Sequence, residues 1–184
     1  MILTRRTLVQ ASIAGGIVAS LAGIAVVAHE RATPNPADDG GWRQIAWPFL
    51  RDGWPPGRAW RRDTTEVYIR PKLGFCGNCE TGVVSDDEVD RVTDVDLLDD
   101  RFAPAQDGGP IRIAELQGRA RLYRYKLKSG AQRFAEGIAV SQKCDLIVAI
   151  VAGNLADERE RTSAHRFLES STVQAWLAEQ LEGR

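Results

Sequence analysis

An α+β fold, with an antiparallel meander sheet packed against C-terminal helices, is what the patterning of this chain predicts. Short runs that alternate apolar and polar residues fill the middle of the sequence, and Leu146 to Val151 is an unbroken apolar stretch of strand length. Helical signals gather after Asp157. The connections between strand segments are too short for parallel crossovers, which excludes a doubly wound sheet. Three regions follow: residues 1–28 as a signal or membrane-spanning helix, 29–41 as a flexible linker, and 42–184 as a single α+β domain with room for one core.

At the N-terminus, Arg5 and Arg6 directly precede Thr7 to Ala28, a stretch without a charged residue. As a helix it would be about 33 Å long, enough to cross a bilayer. Gly15, Gly16, Ser20 and Gly23 keep it milder than a Leu-rich span. The run Thr4-Arg5-Arg6-Thr7-Leu8-Val9-Gln10 resembles a twin-arginine (Tat) export signal, with Leu8 and Gln10 where that family often has Phe and Lys. The resemblance implies export in the folded state with the Tat translocase as partner. It places the domain in the periplasm or on the extracytoplasmic face of the inner membrane. Val26-Val27-Ala28 allows cleavage after Ala28, whereas an uncleaved segment 7–28 would stay in the membrane with its basic end in the cytoplasm. Both outcomes stay open, with retention the favoured one.

His29 to Gly41 is rich in Pro, Asp and Gly and has no apolar periodicity, so it reads as a tether. Trp42, Trp47, Phe49, Trp54 and Trp60 then crowd into nineteen residues among Arg43, Arg51 and Arg58, with Arg61 and Arg62 directly after, and Pro48, Pro55 and Pro56 forbid one continuous helix. These rings are expected to pack over the core as a wrapped loop. Trp42, Trp47, Trp54 and Trp60 are also the candidates for a membrane or partner-binding patch.

Glu66 to Arg70 alternates as a strand and stops at Pro71, and Ser85 with Glu88 forms a capping box that starts a helix over Asp86 to Val92. Ile111 to Leu116 and Arg119 to Leu127 read as a hairpin turning at Gln117-Gly118. Arg133 to Ser141 carries Phe134, Ile138 and Val140 on one face and Ala135, Gly137, Ala139 and Ser141 on the other, the small face leaving room for a close helix. The stretch Leu146 to Val151 is the expected central strand. Helices are expected over Glu158 to Glu169 and Thr172 to Leu181, the second started by Ser171 with Gln174.

The formal net charge of -1 gives no electrostatic reason for nucleic acid binding. It conceals a polarity: bases predominate from Arg43 to Lys72, and acids from Glu80 to Asp100, where Arg91 is the lone base. Such blocks read first as solvated faces, and the acids lack the spacing of an EF-hand loop. With His29 and His165 as the only histidines and no GxSxG or HExxH motif, no conventional catalytic arrangement is visible.

Cys76 and Cys79 form a CxxC pair, and Cys144 stands at the entrance to the central strand. A disulfide, a redox couple or half a metal site are the three uses open to such a pair in an exported chain. Adding Cys144 and His165 gives a formal Cys3His set able to hold a metal ion such as zinc. A disulfide from Cys144 to Cys76 or Cys79 is the other expectation, with Cys144 largely buried at the end of the sheet.

The order of strands and late helices resembles the PsbP/Mog1-like α/β sandwich. The stretches Trp47 to Trp60 (WPFLRDGWPPGRAW), Tyr68 to Cys79 (YIRPKLGFCGNC) and Ser85 to Leu98 (SDDEVDRVTDVDLL) resemble a family of small exported bacterial proteins of unknown function that carry Tat signals. That resemblance implies a compact domain around the cysteine loop and supplies no reaction. A tighter CxC spacing and further upstream cysteines occur in that pattern, whereas Gly77-Asn78 separate the pair here and Arg61 to Tyr68 contain none. The expected function is a non-enzymatic accessory or assembly protein of a membrane or redox complex, tethered or released. The alternative is a metal-binding or redox enzyme built on Cys76, Cys79, Cys144 and His165.

Overall fold

A computed structural model describes residues 40–49, 55–74, 82–83 and 85–182. The chain divides into two units, Met1–Pro36 and Ala37–Arg184. The first lies wholly outside the described residues, as do the export signal, most of the linker and the expected span 7–28. No helix among the described residues is long and apolar enough to cross a membrane.

The domain is α+β, and its described residues form an eight-stranded antiparallel sheet with three α-helices. Its strands are β1 (Arg43–Ile45), β2 (Arg58–Arg62), β3 (Thr65–Lys72), β4 (Ala103–Pro104), β5 (Gly109–Ile113), β6 (Leu116–Lys126), β7 (Gln132–Gln142) and β8 (Asp145–Gly153). The helices are α1 (Asp86–Val92), α2 (Glu158–Leu168) and α3 (Ser171–Glu182), with a 3-10 turn at Val95–Leu97. In space the order is β1-β2-β3-β8-β7-β6-β4, with β5 also on the outer edge of β6. Two meanders, β1 to β3 and β6 to β8, are therefore joined through an antiparallel β3·β8 pair that aligns Val67 with Val151 and Lys72 with Leu146. The chain reaches the far edge from β3 by way of α1.

Strand β8 is central and buried on both faces, as an unbroken apolar run requires. Towards α2 and α3 the sheet presents Trp60, Val67, Ile69, Ile138, Val140 and Val151, which meet Phe167, Leu168, Val173 and Trp176. Towards α1 it presents Ala139, Leu146 and Val148 against Val89 and Val92. Helix α1 starts at the expected capping box: Ser85 Oγ accepts from Glu88 N, and the Glu88 carboxylate accepts from Ser85 N. The small face of β7 is what admits it. A Cβ on Gly137 would stand 2.6 Å from Thr93 Oγ1 at the C-terminal end of α1.

Three expectations are corrected in detail. The Trp/Arg segment is not only a wrapped loop, because it contributes β1 and β2, with Trp60 on one face and Ala59 on the other. The β5–β6 hairpin turns at Ala114-Glu115, with Ala114 at φ 51°, and Gln117-Gly118 lie inside β6. Gly118 is needed there because a Cβ would collide with the Ala139 carbonyl on β7. Helix α3 is capped one residue earlier than expected, since the Ser170 hydroxyl faces Val173 N at 3.4 Å while Gln174 Nε2 donates to Leu168 O at 2.7 Å.

Candidate functional site

The cysteine end of the sheet is built by β3, β7 and β8. Cys144 occupies the two-residue β7–β8 turn after Lys143, which is left-handed at φ 56°. Gly74 N donates to Asp145 Oδ1 at 2.6 Å, so the chain that leaves β3 starts beside this turn. Cys144 is disulfide-bonded. Its position is exposed and not buried as expected, because a hairpin tip has no layer above it. Cys76 and Cys79, the other two cysteines of the chain, lie outside the described residues.

His165 does not join that end. Its Nε2 lies 2.6 Å from Glu136 Oε2, and Glu136 is a buried carboxylate on β7. Six residues of strand separate Glu136 from Gln142 at the turn, about 20 Å at ~3.3 Å per residue. Of the four residues of the Cys3His set, Cys144 is in a disulfide, His165 is paired with Glu136 near the middle of β7, and Cys76 and Cys79 lie outside the described residues. Among the described residues no group of three or more His, Cys, Asp or Glu side chains could hold a metal ion.

The acidic run is only partly a solvated face: Asp87, Asp96 and Asp100 are exposed, whereas Asp86, Asp90 and Asp94 are engaged by cations of the sheet. Asp86 accepts from Gly108 N at 2.9 Å and Arg119 Nε at 2.5 Å, and Asp90 accepts from Arg121 Nη1 at 2.6 Å and Tyr123 Oη at 2.5 Å. Asp94, left-handed at φ 57°, takes Lys72 Nζ at 2.8 Å and pairs with Arg70. The Gly108 N–H, then Arg119, hold the Asp86 carboxyl below the usual carboxylate value. Burial, then the hydrogen bond to Asp90, pushes the Tyr123 phenol well above its ordinary value, and burial with Glu66 does the same for Tyr68. Asp86 and Asp90 are thus paired with cations of β6, and Asp94 with Arg70 and Lys72 at the end of the basic block on β3.

Of the aromatic candidates, Trp42 and Trp60 are buried core residues. Trp42 stacks on Phe167 at 4.6 Å, and Trp60 meets Phe167 at 5.4 Å and Trp176 at 6.0 Å, both edge-on. Trp47 is half-buried on the opposite face, edge-on to Phe49 at 5.0 Å and near Tyr68. Trp54 lies outside the described residues.

One open cavity of about 380 Å³ lies at the junction of α2 and α3. Arg62, Ser163, Arg166, Ser170 and Ser171 line it, with Trp42 and Phe167 contributing apolar surface and Gly40 at its rim. Arg62 is fixed there: its guanidinium lies 5.1 Å above the Trp42 ring, donates to Ser163 Oγ and stands 3.4 Å from Glu160, which also accepts from Thr65 Oγ1 at 3.0 Å. Arg166 is exposed on the next turn of α2 and forms no ion pair with a described residue. None of these five polar residues carries a motif, since they come from β2, α2 and the α2–α3 joint. The Ser170-Ser171 doublet between two helices was the sole local signal. No protein-family model matches the chain, and no curated protein sequence does.

Proposed function

We propose that this protein is exported by the twin-arginine route and serves on the extracytoplasmic face of the inner membrane as an accessory or assembly factor for a membrane or redox complex. The observation that carries the export reading is the disulfide at Cys144, because such bonds persist in oxidising compartments and are rare in a reducing cytosol. The Arg5-Arg6 signal points the same way, and an uncleaved helix over 7–28 would tether the domain through its Pro- and Gly-rich linker. The PsbP/Mog1-like sandwich likeness agrees with a sheet that carries helices on both faces. A metal or redox enzyme centred on Cys76, Cys79, Cys144 and His165 is the less favoured reading, since Cys144 and His165 stand apart and each already has a partner.

Changing Arg5 and Arg6 together to Lys should leave the full chain folded in the cytoplasm with its export blocked. Fractionation and alkylation mapping of Cys144 read both consequences. Unchanged export of the double variant would overturn the assigned route, and recovery from solubilised membranes as a lone soluble monomer would overturn the accessory role.

A further inference from the structure

We infer that the cavity between α2 and α3 binds a small ligand through a phosphate ester. At about 380 Å³ the space falls within the range of small-molecule sites and is far larger than a structural water requires. Among the described residues Arg62 and Arg166 line it and no carboxylate does, while Glu160 beside it pairs with Arg62 and accepts from Thr65, leaving Arg166 as the cation without an ion pair to a described residue. An anionic ligand is what two guanidinium groups at one open cavity select.

Arg62 is held before any ligand arrives by Ser163, Glu160 and the Trp42 ring, so little side-chain freedom is lost when it engages an anion. Arg166 is the exposed partner that can close on the same group. Ser170 and Ser171 also line the cavity and bring hydroxyl donors to it. A planar carboxylate fills one guanidinium fork. A tetrahedral phosphate offers acceptors to two forks and to hydroxyls arranged around it, which matches this lining better. The remaining volume beside Trp42 and Phe167 accommodates a small body esterified to the phosphate. Two sources share this chemistry, a soluble phosphate ester and the headgroup of a phospholipid.

Calorimetric titration of the full chain in neutral detergent with sn-glycerol 3-phosphate, and separately with detergent-dispersed phosphatidylglycerol, tests the inference. Saturable binding of the first assigns a soluble ester, and saturable binding of the second alone assigns a lipid headgroup. In either case Arg166→Gln should weaken binding by about tenfold or more while leaving the ligand-free melting temperature unchanged, as expected for loss of a charge-assisted contact at an exposed site. Arg62→Lys, which keeps the charge and removes the fork, should weaken it as well. Absence of saturable binding by both probes, or affinity unchanged in Arg166→Gln, would overturn the site. The readout does not depend on where the protein is sorted, so an Arg5/Arg6 double-Lys variant that binds normally separates this inference from the export reading.

Discussion

On the face of the sheet that carries α2 and α3, the contact is made by Trp60, Val67, Ile69, Val151 and the rings of Phe167 and Trp176. On the face that carries α1, an apolar cluster around Tyr68, Val95 and Ile150 lies beside the helix, while α1 itself brings only Val89 and Val92, and the segment from it to Asp94 makes a row of ion pairs: Asp86 with Arg119, Asp90 with Arg121, and Asp94 with Arg70 and Lys72. A seven-residue helix is too short to hold by propensity or by a wide apolar stripe. It is placed by charge instead, and directional pairs fix where each turn of it sits. The first face should respond to volume, the second to protons.

The largest break comes from the apolar face. Phe167→Ala removes the ring that joins Trp42 to Trp60, and should cost about 3–5 kcal/mol in urea unfolding, by the same amount at pH 7 and pH 4. Next is Asp94→Asn, which takes a carboxylate from two cations that are only 3% and 4% exposed. About 2 kcal/mol should be lost, with Asp94 itself partly open to solvent. A loss below a few tenths would mean that the Asp94 pairs do not hold this face.

The smallest effect is a matter of slope. The Asp86 carboxyl is lowered in the fold, so its contribution is complete above the unfolded value near 3.9 and disappears as pH falls through the lower folded value. Urea midpoints measured from pH 5 to pH 2 should therefore fall less steeply in Asp86→Asn than in the parent chain. At the alkaline end the sign reverses for Tyr123 and Tyr68. Their raised values mean a contribution intact below about 10 and lost as pH rises towards the folded values. Equal acid slopes in parent and variant would remove Asp86 from the proton-sensitive set.

Local signals were legible where local physics decides. The capping box at Ser85, the period-two pattern of β7 and the apolar run of β8 each settle an element from a few neighbouring residues. The β5–β6 turn was not, because Ala114 in a left-handed conformation is not a turn residue and Gly118 looked like one. Gly118 answers to a carbonyl on another strand, information that lies twenty-one positions away at Ala139. The partners of the acidic run were hidden for the same reason. Charge runs state composition, while their partners depend on β6 lying beside α1 and the end of β3 lying beside Asp94. His165 looked like a fourth metal ligand in the sequence, and only the strand distance from Glu136 to the β7–β8 turn separates it from Cys144. The cavity residues, drawn from β2, α2 and the α2–α3 joint, had no common pattern to read.

The pairing of β3 with β8 also sets a timetable for synthesis. β3 leaves the ribosome early, yet its inner neighbour begins at Asp145, more than seventy residues later. Until then Val67 and Ile69 border an open strand edge, and the first meander has no partner on that side. Tertiary structure must wait for an almost finished chain, because the contact at the centre of the sheet is among the last to become available. A nascent chain of this kind needs shelter before it needs a destination.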